Sequence, residues 1–307
     1  MNEVSCSPHF AMGDVMVIKF NGKKFQAIQN GKVIAESTSK YYLKSKLAKL
    51  DVDTKPTVED NPALKFPINQ RFEFAKRLVS MVGEGKTASA IIVGEGGLGK
   101  SYSVMKALSG LGLKDISGVD FEEGTTFSPK NVFKVIKGFS TPKALYRTLY
   151  ENRDSVVVFD DCDSVLKHDD AISLLKGALD SYDRRIISWN TDRADEDLPQ
   201  SFQFNGGVVF ISNRSMDKID QALRSRSMCV DLTMTTEQKI ERMETIIKSK
   251  EFLPEISVTF KKDALNLIKT LKDKVKEISL RSLITVSRIR ADGSKQWKDL
   301  ATYTLMA

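Results

Sequence analysis

The sequence is poor in the residues that staple or metallate small domains. It has three cysteines (Cys6, Cys162 and Cys229), an odd number far apart, with no Cys-x-x-Cys spacing, and only two histidines, His9 and His168. Neither a disulfide scaffold nor a zinc module is expected, and a reducing cytoplasm is the expected compartment. Long apolar runs are missing too. Stretches such as Val156–Phe159 and Ala90–Val93 are far shorter than the roughly 18–20 residues of a membrane helix, so no membrane partner is expected. The opening MNEVSCSPHF has no basic segment followed by an apolar one, and a secretory signal is not expected. Arginine is absent between Val15 and Leu50, where eight lysines face a single acid, Glu36.

That local excess of +7 equals the formal charge of the whole 307-residue chain. The positive charge therefore marks one short module, residues 1–50. Within it Val15–Phe20, Lys24–Gln29 and Lys32–Ser37 are rich in β-formers and are separated by Asn21-Gly22 and Asn30-Gly31. Asn-Gly supplies the two positive-φ residues of a tight hairpin, so the pattern predicts a three-stranded meander. Ser39 is placed to cap a following helix with Tyr42, Leu43, Leu47 and Leu50 on one face. Residues 51–67, with three prolines, read as a linker.

From 68 to 232 strand-like and helix-like segments alternate, which predicts an α/β domain with a mainly parallel sheet. Five strands are expected: Ala88–Val93, Val132–Ile136, Ser155–Asp160, Val208–Ser212 and Met228–Leu232. Residues 233–307 read as helices only. Thr235 and Gln238 form a capping-box pattern, and further helices are expected over Lys262–Leu271, Ser279–Ile289 and Gln296–Leu305.

Gly94-Glu95-Gly96-Gly97-Leu98-Gly99-Lys100-Ser101 fits G-x-x-x-x-G-K-[ST] in full, between an apolar strand and a helix-spaced run that continues through Tyr102 and Val104. In such a loop the glycines let backbone N–H groups turn toward a phosphate, and the helix N-terminus adds positive potential. Lys100 would reach β- and γ-phosphate oxygens, and the Ser101 hydroxyl would ligate Mg²⁺. ATP and Mg²⁺ are therefore the expected cofactors. The apolar run Ser155–Phe159 leads into Asp160-Asp161-Cys162-Asp163, bringing carboxylates to the sheet edge where the phosphate loop opens. Asp160 is the candidate metal-side acid and Asp161 the group that polarises water, with Asp163 able to assist. Asn213, just past a further strand, could hold that water from the other side, or could simply end its strand.

Taken in order with Ala222-Leu223-Arg224-Ser225-Arg226 and Ile278-Ser279-Leu280-Arg281-Ser282-Leu283, these motifs resemble the AAA+ ATPases from residue 68 to the C-terminus. The resemblance implies a P-loop α/β domain with a C-terminal helical lid, assembled as a homo-oligomeric ring, as a rule a hexamer. It implies that Asn213 is the first sensor and Arg281 the second. It also implies an arginine finger at Arg226, or at Arg224, acting on the ATP of a neighbouring subunit. One departure stands out: the family usually has Glu where this chain has Asp161, one methylene shorter. The compact chain is also loosely similar to small AAA+ proteins of tailed phages, for which the host cytoplasm is the expected location.

Three features bear on a substrate. Phe139, in Lys137-Gly138-Phe139, falls where ring translocases carry an aromatic pore loop, or else it anchors its own loop. Ile186–Asn190 and Phe202–Asn205 flank a polar stretch that is either an inserted β-hairpin packed through Trp189 or an irregular loop. The lysine module, with Phe20, Phe25, Tyr41 and Tyr42, could follow a nucleic-acid backbone, dock an adaptor protein, or be a solvated face. The expected activity is ATP-driven remodelling or translocation of a macromolecule, nucleic acid or its bound protein first. A protein unfoldase and an ATP-gated scaffold with slow turnover are the alternatives.

Overall fold

A computed structural model describes residues 16–20, 23–29, 32–37, 65–118, 129–190 and 198–307. The chain divides into two compact units, Met1–Pro62 and Ala63–Ala307.

In the first unit, β1 (Met16–Phe20), β2 (Phe25–Gln29) and β3 (Lys32–Ser37) form an antiparallel meander. Lys23 and Lys24 are exposed, and Lys24 lies 3.6 Å from Glu36. The two Asn-Gly turns, the helix expected after Ser39 and the linker up to residue 64 fall outside the described residues.

The second unit opens with helix α1 (Ile68–Gly83), then β4 (Ser89–Val93), α2 (Lys100–Gly110) and β5 (Lys114–Asp115). It continues through β6 (Val132–Lys137), α3 (Pro142–Glu151), β7 (Val156–Asp160) and α4 (Asp169–Ala178). After β8 (Ile186–Ser188) and β9 (Ser201–Gln203) come β10 (Gly207–Ser212), the short α5 (Gln221–Arg224) and β11 (Met228–Asp231). Four helices follow: α6 (Thr236–Ile246), α7 (Val258–Leu271), α8 (Leu280–Ala291) and α9 (Trp297–Met306).

The main sheet is parallel, in the order β11-β4-β10-β7-β6-β5. It has six strands where five were expected. The sixth, β5, is two exposed charged residues that pair with Val132 and Phe133. Neither length nor alternation marks such a strand in the sequence; only its neighbour makes it one. The inner strands β4, β7 and β10 are buried along their whole length, as expected of strands covered on both faces. One apolar cluster joins α3, α4 and the β8–β9 pair to the sheet, and a second joins α1 and α2 to it. A third lies among the C-terminal helices.

Strands β8 and β9 are antiparallel, so the pair is a β-hairpin; its intervening residues 191–197 are outside the described set. Trp189 packs on the first cluster with its ring 6.0 Å from that of Tyr146. The capping box at Thr235 and Gln238 forms. Its Gln238 also accepts from Nη2 of buried Arg71 of α1, whose Nη1 donates to the carbonyls of Asp231 (2.9 Å) and Thr233 (2.8 Å). Arg71 thus clasps the end of β11 to the start of α6. Among the described residues no helix is long and apolar enough to cross a membrane.

Candidate functional site

A parallel sheet delivers all its strand ends to one edge, and there the loops after β4, β7 and β10 meet. The loop after β4 turns through three positive-φ glycines, Gly94, Gly97 and Gly99 (φ 145°, 70° and 85°), before α2 begins at Lys100. A β-carbon on Gly97 would lie 3.2 Å from Ser279 Cβ and 3.6 Å from Arg281 Cδ, and one on Gly99 would lie 3.2 Å from Leu280. Conformation and space both call for glycine here.

Beside this loop lies a cleft of about 140 Å³, lined by Gly96–Tyr102, Asp161, Asn213 and Arg281. Lys100 is buried, and its ammonium donates to the carbonyls of Gly94 and Glu95, both at 2.7 Å, and to Asn213 Oδ1 at 2.8 Å. Burial pushes its pKa below the usual lysine range, opposed by Asp161, Asp160 and Glu95, while Arg281 pushes it lower still. The Ser101 hydroxyl donates to Asp160 Oδ1 at 2.7 Å. Asp160 ends β7 almost fully buried, and its Oδ2 lies 3.4 Å from Lys137 Nζ at the end of β6. A hydroxyl next to a carboxylate is a hard-oxygen pair of the kind Mg²⁺ prefers, and that ion commonly takes only one or two protein ligands. Among the described residues no group of three or more His, Cys, Asp or Glu side chains is placed to hold a metal.

Asp161 is one of two non-glycine residues with positive φ among those described (φ 53°), and its N–H donates to the Ile211 carbonyl at 3.0 Å. The chain therefore turns sharply where the second acid stands. Asp tolerates this region better than most residues, at a cost of about 1 kcal/mol. Asp163 accepts the Ser212 hydroxyl through Oδ1 at 2.7 Å, which ties it to the end of β10.

The C-terminal helices border one side of the cleft. Leu280 N–H donates to Gly97 O at 2.8 Å, and Lys239 of α6 pairs with Glu95 of the glycine-rich loop. Tyr102 is exposed, and its hydroxyl donates to Glu251 at 2.5 Å, with Lys106 on the same carboxylate. That hydrogen bond is the main cause of a raised Tyr102 pKa, and the Lys106 contact holds Glu251 below the usual carboxylate range.

Arg224 and Arg226 are not in this cleft. Arg226 O accepts the Ser89 hydroxyl at 3.2 Å, at the start of β4, whereas Gly94 follows its end. Five residues of strand separate the two, about 16 Å. Neither arginine forms an ion pair among the described residues, and the Nε of each is buried without a hydrogen-bond partner. Phe139 sits on the cleft's edge of the sheet, just past β6 and Gly138 (φ 84°), and is 72% exposed.

Sequence reasoning missed the polar partners around the cleft: Lys239 for Glu95, Glu251 for Tyr102 and Lys137 for Asp160. Lys137 had a signal, standing two residues before Phe139 at a strand end. Lys239 and Glu251 had none, because their contacts span more than 140 residues.

Fold and site together define an α/β protein with a glycine-rich loop at the carboxyl edge of a six-stranded parallel sheet. No protein-family model matches the chain. It is similar to an uncharacterized 36.7 kDa protein from the nrdC-mobD intergenic region of Enterobacteria phage T4, 28% identical over 297 residues, covering 89% of this chain and 86% of the relative.

Proposed function

We propose that this chain is an ATPase of the AAA+ type that binds Mg-ATP in the cleft and hydrolyses it at the contact between neighbouring copies, remodelling or translocating a macromolecule. The observation that carries the reading is the convergence in one cleft of Lys100, the Ser101–Asp160 pair, Asp161, Asn213 and Arg281. These come from three strand ends and a lid helix, and a chance glycine-rich match would not assemble them.

The roles follow from the chemistry. Lys100 is held in place by three oxygens and exchanges its two carbonyl partners for β- and γ-phosphate oxygens, while Asn213 keeps it oriented. Ser101 and Asp160 would hold Mg²⁺, which when bound supplies charge neutralisation across the phosphates. The turn at Asp161 aims a short carboxylate into the cleft, where it orients the attacking water. Arg281 approaches from the lid and adds positive charge beside the phosphate loop. Arg226 or Arg224, at the other end of β4, can serve only a neighbouring copy's cleft.

The client class rests on other features. Exposed Phe139 suits a grip on a polymer. The local charge of +7 on the N-terminal module favours nucleic acid, or protein bound to it.

The test is steady-state ATP hydrolysis against protein concentration, with and without DNA, for wild type and Arg226→Ala. Specific activity should rise with concentration, increase with DNA and collapse in the variant. Activity indifferent to DNA moves protein remodelling ahead. Binding without turnover makes the protein an ATP-gated scaffold, and no binding at all removes the reading.

A further inference from the structure

Asp160 has both carboxylate oxygens engaged from different elements. Oδ1 takes the Ser101 hydroxyl from α2, and Oδ2 faces the ammonium of Lys137 across the β6–β7 ladder, where Lys137 and Asp160 are register partners. The two ends of this contact differ in environment. Asp160 is 5% exposed, while the Lys137 side chain is 69% exposed and can leave its partner for water at little cost. Lys100, which interacts electrostatically with Asp160, also does so with Asp161, Glu95 and Arg281. Two residues beyond Lys137 stands Phe139, reached through Gly138 in the left-handed region, and then Ser140, whose N–H donates to Ser164 Oγ at 3.0 Å. The exposed aromatic therefore hangs between two tethers, one a hydrogen bond to the β7–α4 connection and the other an ion pair to the candidate metal carboxylate.

We propose that Lys137 is a tethered counter-ion: it neutralises Asp160 while the cleft is empty, yields to a divalent cation arriving with nucleotide, and so passes the loading state of the site to the loop bearing Phe139. This rests on the cleft binding a metal–nucleotide complex, as argued above. The physical reason is direct. Two cations cannot both lie against one buried carboxylate without repulsion, and the lysine, on a flexible and exposed stem, is the one free to move. By linkage, the contact that resists the metal is the one the metal releases, so a partner gripping the released loop favours the loaded site.

The experiment uses the full-length protein with Mn²⁺ and a non-hydrolysable ATP analogue, comparing wild type, Lys137→Met and Lys137→Arg. Mn²⁺ affinity is read by electron paramagnetic resonance, and amide hydrogen exchange is followed over residues 138–139. In wild type, exchange in the loop should rise with Mn²⁺ and analogue together but not with analogue in a chelator. In Lys137→Met the empty protein should already show the raised exchange, with Mn²⁺ bound about threefold more tightly, the range of a largely exposed ion pair. Lys137→Arg should keep both wild-type behaviours. Unchanged Mn²⁺ affinity in Lys137→Met, or a loop response as large as that of wild type, overturns the proposal and leaves the ATPase reading standing. Failure of wild type to bind Mn²⁺ with the analogue overturns both.

Discussion

The two ends of β4 are built differently. At its carboxyl end polar side chains are matched within the chain: Lys100 with three oxygens, Ser101 with Asp160, Glu95 with Lys239. At its amino end, Arg224 and Arg226 have no acid partner among the described residues, and each leaves a buried Nε unpaired, as Arg71 and Arg242 also do. Buried donors are normally satisfied, and an exception calls for an explanation. The contrast is one of partners: the carboxyl edge joins polar side chains from separate elements, whereas Arg226, among the described residues, donates only to the Ala222 carbonyl of its own turn, at 3.1 Å.

The largest expected effect breaks the comparison if it fails. Arg226→Ala should lower the ATP turnover rate by about 10³–10⁵-fold with little change in nucleotide affinity, because the residue lies outside its own cleft. If Arg224→Ala does this and Arg226→Ala does not, the finger moves by two residues and the contrast survives. If neither matters, the amino edge is merely structural. At the carboxyl end, Lys100→Met should weaken binding of a fluorescent ATP analogue by about 100-fold, equivalent to losing roughly 3 kcal/mol of charge-assisted bonds. Thermal unfolding should show that the empty protein still folds.

Smaller effects sharpen the picture. Arg71→Met removes three hydrogen bonds at the β11–lid junction and should cost about 2–4 kcal/mol in chemical denaturation. Asp161→Gly should stabilise the empty protein by up to about 1 kcal/mol by relieving the left-handed backbone, while abolishing turnover. A stability gain with activity lost would mark strain held for function. The least effect is on pH. Anion binding favours protonated Lys100, whose pKa burial lowers. Affinity should therefore fall with rising pH earlier than for an ordinary lysine, and titrating the analogue between neutral and alkaline pH, with Lys100→Arg as a flatter control, checks the sign.

Local pattern made much of this legible. Central strands buried on both faces read as unbroken apolar runs, which is why β4, β7 and β10 are found within a residue of where the sequence puts them. The glycine-rich loop and the acids after β7 were readable because a strand end in a parallel sheet is also a site edge. Strand β5 was invisible, since two charged residues become a strand only by lying beside Val132 and Phe133. Asp163 was readable only as a nearby charge, and that one of its oxygens accepts the Ser212 hydroxyl is a contact the tertiary structure supplies.

By itself, then, the sequence determined the order of elements, the glycine-rich loop and the acidic strand end, because these depend on neighbours within a few residues. Tertiary structure alone decided which strand ends meet. It decided that Asp160 faces both Ser101 and Lys137, that Lys239 and Glu251 reach across to the loop and its helix, and that Arg224 and Arg226 do not line the cleft. Those relations are set by strand order and helix packing, through contacts whose partners lie tens to hundreds of residues apart and leave no local trace.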